Sequence, residues 1–386
     1  MLDRYITQRF IDALRHIEYG AITVVTPDGK EHFISGNKPG TQANLTLHDW
    51  RAVSAIAQRG DIGFAEAYRD GWWDSTNLSD LFLASLKNET VLNKYIYGNM
   101  IGRIVSRVAY AFTRNTLSGS RKNIHAHYDL GNDFYALWLD PTMTYSSAIF
   151  NHPDESLISA QYNKYDRIID RIDNSGNMLE IGCGWGGFAE RALQKRDYKI
   201  KGLTISKEQH DYAVNRLRNS AQIALEDYRL QEGKYNSIVS IEMFEAVGEQ
   251  FWPTYFSKIK SLLADDGKAV IQTITIKDAY FERYRKGGDA IRTFIFPGGM
   301  LPSPKRFAEE SASHGLLITD RLDFGQDYAR TLEHWLERFE ARREEIRHMG
   351  FDGKFIRMWR FYLTCCIASF KDGRTNVMQV ELQHAA

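Results

Sequence analysis

Short apolar runs alternate with amphipathic stretches through the middle of the chain, between about residues 178 and 275. Apolar runs of this length indicate buried strands, and the stretches between them have the 3.6-residue period of helices. Regular alternation of this kind predicts a mostly parallel sheet covered by helices on both faces, an α/β fold. The predicted strands lie near 178–182, 198–204, 221–225, 235–241, 268–275 and 377–382, and the later helices near 304–314, 328–348 and 352–371.

The first part of the chain has a different pattern. Apolar residues at helical spacing over 2–17 predict an amphipathic helix, which either packs on its own domain or anchors the chain to a membrane. Alternation over 21–34 around a Pro-Asp-Gly turn predicts a β-hairpin, and a helix follows within 45–59. We therefore expect three segments: a small N-terminal α+β domain over 1–85, a helical basic linker over 86–122 and a catalytic α/β domain over 123–386.

Basic side chains alternate with apolar ones in the predicted linker. Such a segment suits anionic lipid headgroups, where each basic residue contributes about 1 kcal/mol. It equally suits a solvated helix between two domains, and both interpretations stay open. The basic residues are Arg103, Arg107, Arg114, Arg121 and Lys122.

Composition narrows the class of partner. The formal net charge is zero, with 49 basic and 49 acidic residues, which argues against a general nucleic-acid binder. Cys183, Cys365 and Cys366 have no disulfide or metal-ligand spacing, so a reducing cytoplasm is expected. The N-terminus does not resemble a signal peptide, and no apolar stretch reaches the roughly 18 residues of a membrane span. We expect a cytoplasmic protein that associates peripherally with the inner face of the membrane.

The strand near 178–182 runs into a glycine-rich turn and then a helix. Gly182, Gly184 and Gly187 satisfy the dinucleotide spacing G-x-G-x-x-G. That fingerprint expects an acid about 20 residues on, at the end of the second strand. Here the second strand ends with no acid before Glu208. Residues 180–186 instead resemble the opening motif of S-adenosylmethionine (SAM) dependent methyltransferases, so SAM is the expected ligand at the carboxyl edge of the sheet.

Further stretches resemble one family of such enzymes, the cyclopropane-fatty-acyl-phospholipid synthases, which include the mycolic acid cyclopropane synthases. The resemblance covers nearly the whole chain, since residues 64–74 are similar to the small N-terminal domain of the phospholipid-acting branch. It implies a class I SAM-methyltransferase fold with a Rossmann-like sheet. The matching stretches are 127–135, 180–187, 202–209, 243–248, 295–302 and 324–332.

The resemblance implies methyl transfer from SAM to a cis double bond in an acyl chain of an unsaturated phospholipid. Attack by the alkene leaves a carbocation, which carboxylate or aromatic faces must surround while water is excluded. In the family, a bound bicarbonate then removes a proton from the new methyl group, so that a cyclopropane ring closes.

Site residues are implied one by one. Glu245 matches the family's glutamate and Tyr328 its tyrosine, whereas Ser147 replaces a cysteine and Gln272 a histidine. His127, in the first matching stretch, is a further catalytic candidate. His125 and His127 could begin a metal site, but no third ligand has suitable spacing, so no metal is expected. The implied cofactor contacts are Tyr145, Ser146, Gly182, Gly184, Gly186, Thr204, Gln209, Asp227 and Tyr228.

The two replacements change the chemistry to be expected. Ser147 is a small donor, as cysteine is. Gln272 donates a hydrogen bond to an anion but cannot become a cation or relay a proton at neutral pH. SAM is therefore the expected cofactor and bicarbonate a doubtful one. A cyclopropane chain is the first expected product, and loss of a different proton would give a methyl-branched or methylene-bearing unsaturated chain, such as a furan fatty acid precursor.

The main hypothesis is thus an enzyme that modifies lipids at a membrane surface. No nucleic acid is expected as a partner, and a homodimer is one expected oligomeric state. The apolar loop 294–302 and the basic segment 103–122 would face the bilayer. Two alternatives remain: the same fold acting on a small molecule, RNA or protein, and a lipid-binding subunit that retains SAM without turnover. An aromatic stripe on the last helix indicates core or acyl-tunnel lining: Trp359, Phe361, Tyr362 and Phe370.

Overall fold

The computed structural model describes residues 2–96, 130–172 and 175–385. The chain divides into two compact units, called here the first unit and the second unit. The first unit comprises Met1–Phe112, Arg283–Ile295 and Glu340–Arg374. The second unit comprises Thr113–Glu282, Phe296–Phe339 and Thr375–Ala386.

The segments expected from the sequence are continuous, whereas both compact units combine separate stretches of the chain. Most of the expected linker, from residue 97 to residue 122, lies outside the described residues. The boundaries at 85 and 122 therefore stay a prediction.

Helices and strands are numbered in chain order over the described ranges. The helices are α1 (Leu2–Leu14), α2 (Arg51–Arg69), α3 (Leu78–Lys87), α4 (Glu89–Ile96), α5 (Asn132–Trp138), α6 (Leu157–Arg171), α7 (Gly187–Lys195), α8 (Lys207–Leu217), α9 (Trp252–Leu262), α10 (Asp278–Lys286), α11 (Ala290–Phe294), α12 (Pro304–Ser313), α13 (Gly325–Ala341), α14 (Arg343–His348) and α15 (Gly353–Lys371). The strands are β1 (Tyr19–Val25), β2 (Glu31–Ser35), β3 (Lys38–Leu47), β4 (Trp73–Asp74), β5 (Gly176–Ile181), β6 (Tyr198–Thr204), β7 (Gln222–Leu225), β8 (Tyr235–Ile241), β9 (Leu263–Ile276), β10 (Leu316–Asp323) and β11 (Thr375–His384).

The first unit contains a four-stranded sheet with the strand order β2-β1-β3-β4. Strands β1 and β2 pair antiparallel, which confirms the predicted hairpin, and β3 pairs with β1 in parallel. Strand β3 was not predicted, because it begins with a proline and a glycine, which usually mark loops. Helix α1 buries one face, including Ile11 and Leu14, as its apolar spacing predicts.

Aromatic side chains fill the centre of the first unit. Phe64 stacks on Trp73 with ring centroids 4.2 Å apart, and Phe82 meets Phe361 edge to face at 5.0 Å. Aromatic pairs of this kind contribute about 0.5–1.5 kcal/mol beyond their buried area. Phe361 of α15 is therefore a core residue, one of the two interpretations of the aromatic stripe.

The sheet of the second unit has the strand order β10-β11-β9-β8-β5-β6-β7. Strands β5 to β9 pair in parallel, whereas β11 lies antiparallel between β9 and β10. This confirms the mostly parallel sheet. The chain order reverses between β5 and β8, and ligands of such sheets bind outside the carboxyl ends of the strands at this switch point.

Most predicted strands of this sheet lie within two residues of their observed bounds. Strand β9 begins at Leu263, earlier than the predicted 268, and β10 was not predicted. Strand β10 lies at the edge of the sheet and is exposed at every second position, and its consecutive polar residues Thr319, Asp320 and Arg321 interrupt the apolar run expected of a buried strand.

Helices α6 and α7 cover one face of the parallel strands. Ile168 and Phe188 from these helices pack with Met178, Val239 and Val270 from adjacent strands, and all five are buried. Full burial of a large apolar side chain is worth about 1.5–3 kcal/mol. This core fixes the strands whose carboxyl ends carry the site.

In the first unit, Asn88 ties the end of α3 to the start of β1. Its side-chain oxygen accepts hydrogen bonds from the backbone N–H of Glu18 at 2.8 Å and of Tyr19 at 3.0 Å. Its amide nitrogen donates to the carbonyls of Tyr19 and Ala84, both at 2.9 Å. The Asn88 side chain is buried, so no water replaces these partners.

We expect Asn88→Ala to lower the free energy of unfolding by about 1–3 kcal/mol, because it leaves buried N–H and C=O groups without partners. Urea unfolding measures the change. Asn37→Ala, at an exposed position, is the matched control and should shift stability by no more than about 0.5 kcal/mol. Equal effects of the two substitutions would contradict the prediction.

Candidate active site

The glycine turn after β5 adopts backbone angles that favour glycine. The φ angles are +83° at Gly182, +51° at Gly184 and +80° at Gly186. A Cβ atom at Gly182 would meet the Met243 side chain at 2.9 Å, whereas a Cβ at Gly184 would meet nothing within 4 Å. Gly182 thus lets the ends of β5 and β8 approach each other, and Gly184 leaves its backbone open to a ligand.

A cleft of about 1160 Å³, including its open mouth, lies at this edge of the sheet. Its lining combines apolar and aromatic side chains with a few polar groups, as in small-molecule and cofactor sites. Gly186 is not among its lining residues and instead lies against Ala213 and Leu217 of α8. The predicted cofactor residues that line the cleft are Tyr145, Ser146, Gly182, Gly184, Thr204, Gln209, Asp227 and Tyr228.

The far side of the cleft is shaped by the ends of β6 and β7. The Thr204 hydroxyl donates to the Gln209 side-chain oxygen at 2.9 Å, which orients both. The carboxylate of Asp227 accepts from the Arg229 side chain at 2.6 and 2.8 Å. Asp227 is therefore already paired, and Tyr228 beside it offers a ring to the cleft.

The cleft fits SAM in its polar groups. Glu180 lines it, and one carboxyl oxygen of Glu180 is buried with no hydrogen-bond partner in the described part of the chain. Burial raises the pKa of Glu180 to about 8. An unpaired buried acceptor is costly, so it marks a position where a ligand donor is expected. Glu180 was missed as a site residue, although it is the only acid in the strand that enters the glycine turn.

The expected acceptor cage forms around a different glutamate. Ser147 N–H donates to Glu242 Oε1 at 2.8 Å, and Gln272 Nε2 donates to the same oxygen at 2.7 Å. The Tyr328 hydroxyl donates to Glu242 Oε2 at 2.9 Å. The structure therefore brings Ser147, Gln272 and Tyr328 together as predicted, but on the carboxylate of Glu242.

Glu245 is three residues further along the chain than Glu242 and does not line this cleft. Its Oε1 accepts hydrogen bonds from Thr273 Oγ1 at 3.0 Å and from the backbone N–H of Ile274, and Glu245 is not a lining residue. Its other carboxyl oxygen is buried without a partner among the described residues. Burial, and then the charge of Glu242, raise the pKa of Glu245 to about 8. A direct catalytic role for Glu245 stays a prediction.

A chain of side chains orients Gln272. Gln379 faces Gln272 across the pair β9 and β11, and its Nε2 donates to Gln272 Oε1 at 2.8 Å. Arg167 donates in turn to Gln379 Oε1 at 3.0 Å. This contact occupies the side-chain oxygen of Gln272, so the side-chain NH2 group is directed at Glu242.

Lys164 is fully buried beside the same group. Its ammonium donates to Ser146 Oγ at 2.7 Å, and burial lowers the pKa of Lys164 to about 7. Burial raises the pKa of Glu242, while the charge of Lys164 and the hydrogen bond from Ser147 N–H act in the opposite direction. Neither Lys164 nor Glu242 was predicted as a site residue. Glu242 immediately follows the fourth strand of the parallel sheet, which is the one signal that could have found it.

Aromatic rings stand next to the carboxylate. The Tyr328 ring meets Trp335 edge to face at 5.9 Å, and Trp335 lies 5.3 Å from the ring of Tyr145, which lines the cleft. Trp138 packs on both Tyr145 and Trp335. The cleft therefore combines a carboxylate with aromatic faces, the two groups that stabilise a cation away from water.

The remaining predicted elements are two histidines, a basic segment and an apolar loop. His125, His127 and the basic segment 103–122 lie outside the described residues. No residue of the loop 294–302 is fully exposed, and Met300 is buried, its N–H donating to the Glu245 carbonyl at 2.8 Å. Phe294, Phe296 and Leu301 are half-buried, so a bilayer-facing role of the loop stays a prediction. Within 2–96, 130–172 and 175–385, no helix is long and apolar enough to cross a bilayer.

The strand order, the glycine turn and the cleft at the switch point define a class I SAM-dependent methyltransferase with a Rossmann-like sheet. A family model described as Mycolic acid cyclopropane synthetase matches residues 116–380. The chain belongs to this family.

Similar proteins agree with this assignment. Tuberculostearic acid methyltransferase UfaA1 from Mycobacterium tuberculosis is 37% identical over 87% of this chain and 82% of its own length. Cyclopropane-fatty-acyl-phospholipid synthase from Escherichia coli is 34% identical over 90% of this chain and 88% of its own length. The crystal structure of mycolic acid cyclopropane synthase CmaA1 complexed with SAH and CTAB superposes with a TM-score of 0.64 and 31% identity, over 68% of this chain and 98% of that chain.

We expect Gly184→Ala to weaken SAM binding at least about tenfold, or 1.4 kcal/mol, because its methyl group would occupy space next to the ligand. Isothermal titration with SAM measures this. Gly233→Ala is the matched control, since Gly233 also has a positive φ and open space but lies outside the cleft. Both substitutions share the backbone strain, so an equal loss of affinity would show that strain, and not the cleft, is responsible.

The raised pKa of Glu245 predicts a pH-dependent stability. The folded chain keeps a proton that the unfolded chain releases above about pH 4.3, so stability falls as pH rises toward the folded pKa of about 8. Glu245→Gln removes this titration. Relative to the unsubstituted protein, the variant should gain on the order of 1–3 kcal/mol between pH 6 and pH 9 in urea unfolding. The exposed Glu208→Gln is the control, and parallel pH curves for all three proteins would refute the prediction.

Proposed function

We propose that this enzyme methylates the double bond of an unsaturated fatty acyl chain in a phospholipid, and that the product is a cyclopropane fatty acyl chain. The observation that carries the proposal is Glu242, which lines the SAM cleft together with Tyr145 and whose carboxylate accepts a hydrogen bond from the aromatic side chain of Tyr328. An alkene becomes a carbocation when it is methylated, and these groups suit such a cation.

The residues of the cleft would hold SAM in a fixed position. The backbone at Gly182 and Gly184 lets the ligand approach closely, and Thr204, Gln209 and Tyr228 shape the far side. When bound, SAM supplies an electron-poor methyl group on a sulfonium sulfur. The packed rings of Tyr145, Trp138 and Trp335 keep water from the reacting carbon.

The choice of a lipid substrate rests on the similar proteins. The names of the relatives from M. tuberculosis and E. coli refer to a fatty acid and a fatty acyl phospholipid. The E. coli protein matches 90% of this chain, which includes most of the N-terminal segment. We infer that the substrate is a phospholipid presented at the inner face of a membrane, with the enzyme bound peripherally. A homodimer stays a prediction.

A second candidate is C-methylation without ring closure, which gives a methyl-branched or methylene-bearing unsaturated chain. Two observations favour it. Gln272 cannot relay a proton as a histidine can, and it is fixed between Glu242 and Gln379. The relative with 37% identity has a name that refers to a methyl transfer and not to a cyclopropane.

The test uses purified enzyme, SAM with a labelled methyl group and vesicles of cis-monounsaturated phospholipid. We expect the label in the acyl chains, with a mass gain of one CH2 group. Ring and alkene products have equal mass, so catalytic ring opening followed by mass spectrometry distinguishes them. Saturated phospholipid vesicles are the control. Label in headgroups, or none in the acyl chains, would refute the proposed function.

A further inference from the structure

We propose that Glu242 is the catalytic base of the reaction, the group that accepts the proton lost from the methylated acyl chain. The proposal rests on the proposed function and adds to it a residue of this chain in a defined role. The reasons are the position of Glu242 at the cleft, the ring of donors that holds it, and the strain in its backbone.

Glu242 lies at the end of a strand and lines the cleft. Glu242 directly follows β8, and its backbone N–H donates to the Gln272 carbonyl at 2.8 Å, which extends the pairing of β8 with β9 by one residue. Of Glu242 and the three residues that donate hydrogen bonds to it, Glu242 alone lines the cleft. Ser147, Gln272 and Tyr328 stand behind it, so the carboxylate lies between its donors and the ligand space.

The donors fix the carboxylate without neutralising it. They come from the loop before α6, from β9 and from α13, and all three are uncharged groups. Lys164, the nearest buried cation, donates to Ser146 Oγ instead. Loss of solvent around the half-buried Glu242 carboxylate raises its pKa, although the charge of Lys164 acts in the opposite direction, so with no cation in direct contact Glu242 is a stronger base than an exposed carboxylate. A base with these properties is suited to remove a carbon-bound proton.

The backbone at Glu242 is strained. Its φ of +50° lies in the left-handed region, where a residue with a side chain costs about 1–3 kcal/mol. Strain of this kind persists where the surrounding structure requires it, and it concentrates at functional sites. Here it turns a strand-end carboxylate back over the edge of the sheet and into the cleft.

The step balances within the chain and its substrate. For the ring product, one Glu242 oxygen takes a proton from the new methyl group, and the electron pair of that C–H bond bonds the methyl carbon to the cationic carbon and closes the three-membered ring. For the non-ring product, it takes a proton from a carbon bonded directly to the cationic carbon, and that electron pair forms the new double bond. Glu242 is left protonated and returns its proton to solvent through the open cleft. Ser147, Gln272 and Tyr328, which the family resemblance would place around bicarbonate, already hold this carboxylate, so no external anion is required.

Two substitutions at the same position test the proposal. Glu242→Gln keeps the size of the side chain but removes the base, and we expect at least a hundredfold loss of kcat, the lower end of what a general base contributes. Glu242→Gly relieves the strain and leaves an empty ring of donors of carboxylate size. We expect it to be inactive in buffer alone and to recover activity, with saturation, on addition of formate or bicarbonate. Glu242→Gln should not recover, because its amide still fills the space.

SAM and formate binding are measured separately from turnover, which also shows whether the variants are folded. Isothermal titration should show that both variants bind SAM within about threefold of the unsubstituted enzyme. The same method, without lipid, should show formate binding to Glu242→Gly and none to Glu242→Gln. Glu381→Gln is the matched control, since Glu381 is a buried carboxylate on β11 with a neutral donor, Thr319, and lies outside the cleft. It should keep full turnover.

The outcomes distinguish failure of this proposal from failure of the proposed function. If the unsubstituted enzyme puts no label into acyl chains, the proposed function fails. If it does, and Glu242→Gln stays within threefold of its kcat, Glu242 is not the base. Loss of activity in both variants with SAM binding retained, but with no rescue by either anion, would also overturn the proposal and leave Glu242 as a positioning residue.

Discussion

Two neighbouring strands, β5 and β8, end in backbone conformations that most residues avoid, and the active site depends on this. Gly182 has a φ of +83° and its Cα lies against Met243, so the strand ends approach too closely for any side chain at position 182. Immediately before Met243, Glu242 has a φ of +50°. The glycine turn and Glu242 therefore line the same cleft.

Hydrogen bonds among uncharged side chains then give the site its orientation. An amide rotates easily, but the Gln272 oxygen accepts from Gln379 and its NH2 group also donates to the Ser147 carbonyl, so Gln272 is a donor toward Glu242. Arg167 orients Gln379 and is itself paired with Asp320 on the edge strand β10. Buried polar networks of this kind are favourable only when every member is satisfied. The site is therefore connected through three strands to the edge of its sheet.

The fold could be predicted from the sequence because parallel strands buried on both faces have continuous apolar runs, which stand out between amphipathic helices. Strands β3 and β10 lack such runs and were missed. The cleft could also be predicted, since glycine spacing and strand order fix its place, and eight of the nine expected cofactor residues line it. Gly186 differs because it is needed for helix packing against α8.

Which of two neighbouring carboxylates lines the cleft could not be predicted in the same way. Glu242 and Glu245 are three residues apart, and the family resemblance points to Glu245. Which of the two reaches the cleft depends on the φ angle at Glu242 and on contacts with residues about 30 and 90 positions away, such as Gln272 and Tyr328. Local sequence patterns do not contain such long-range geometry.

Strand β11, near the end of the chain, lies in the interior of the sheet between β9 and β10. During synthesis on the ribosome, the glycine turn and the strands around it emerge well before this strand. Until β11 inserts, β9 has an unpaired edge and Gln272 lacks the neighbour that orients it. A nascent chain can thus form the SAM-binding part of its sheet first. It becomes competent for chemistry only when β11 pairs with β9 and orients Gln272.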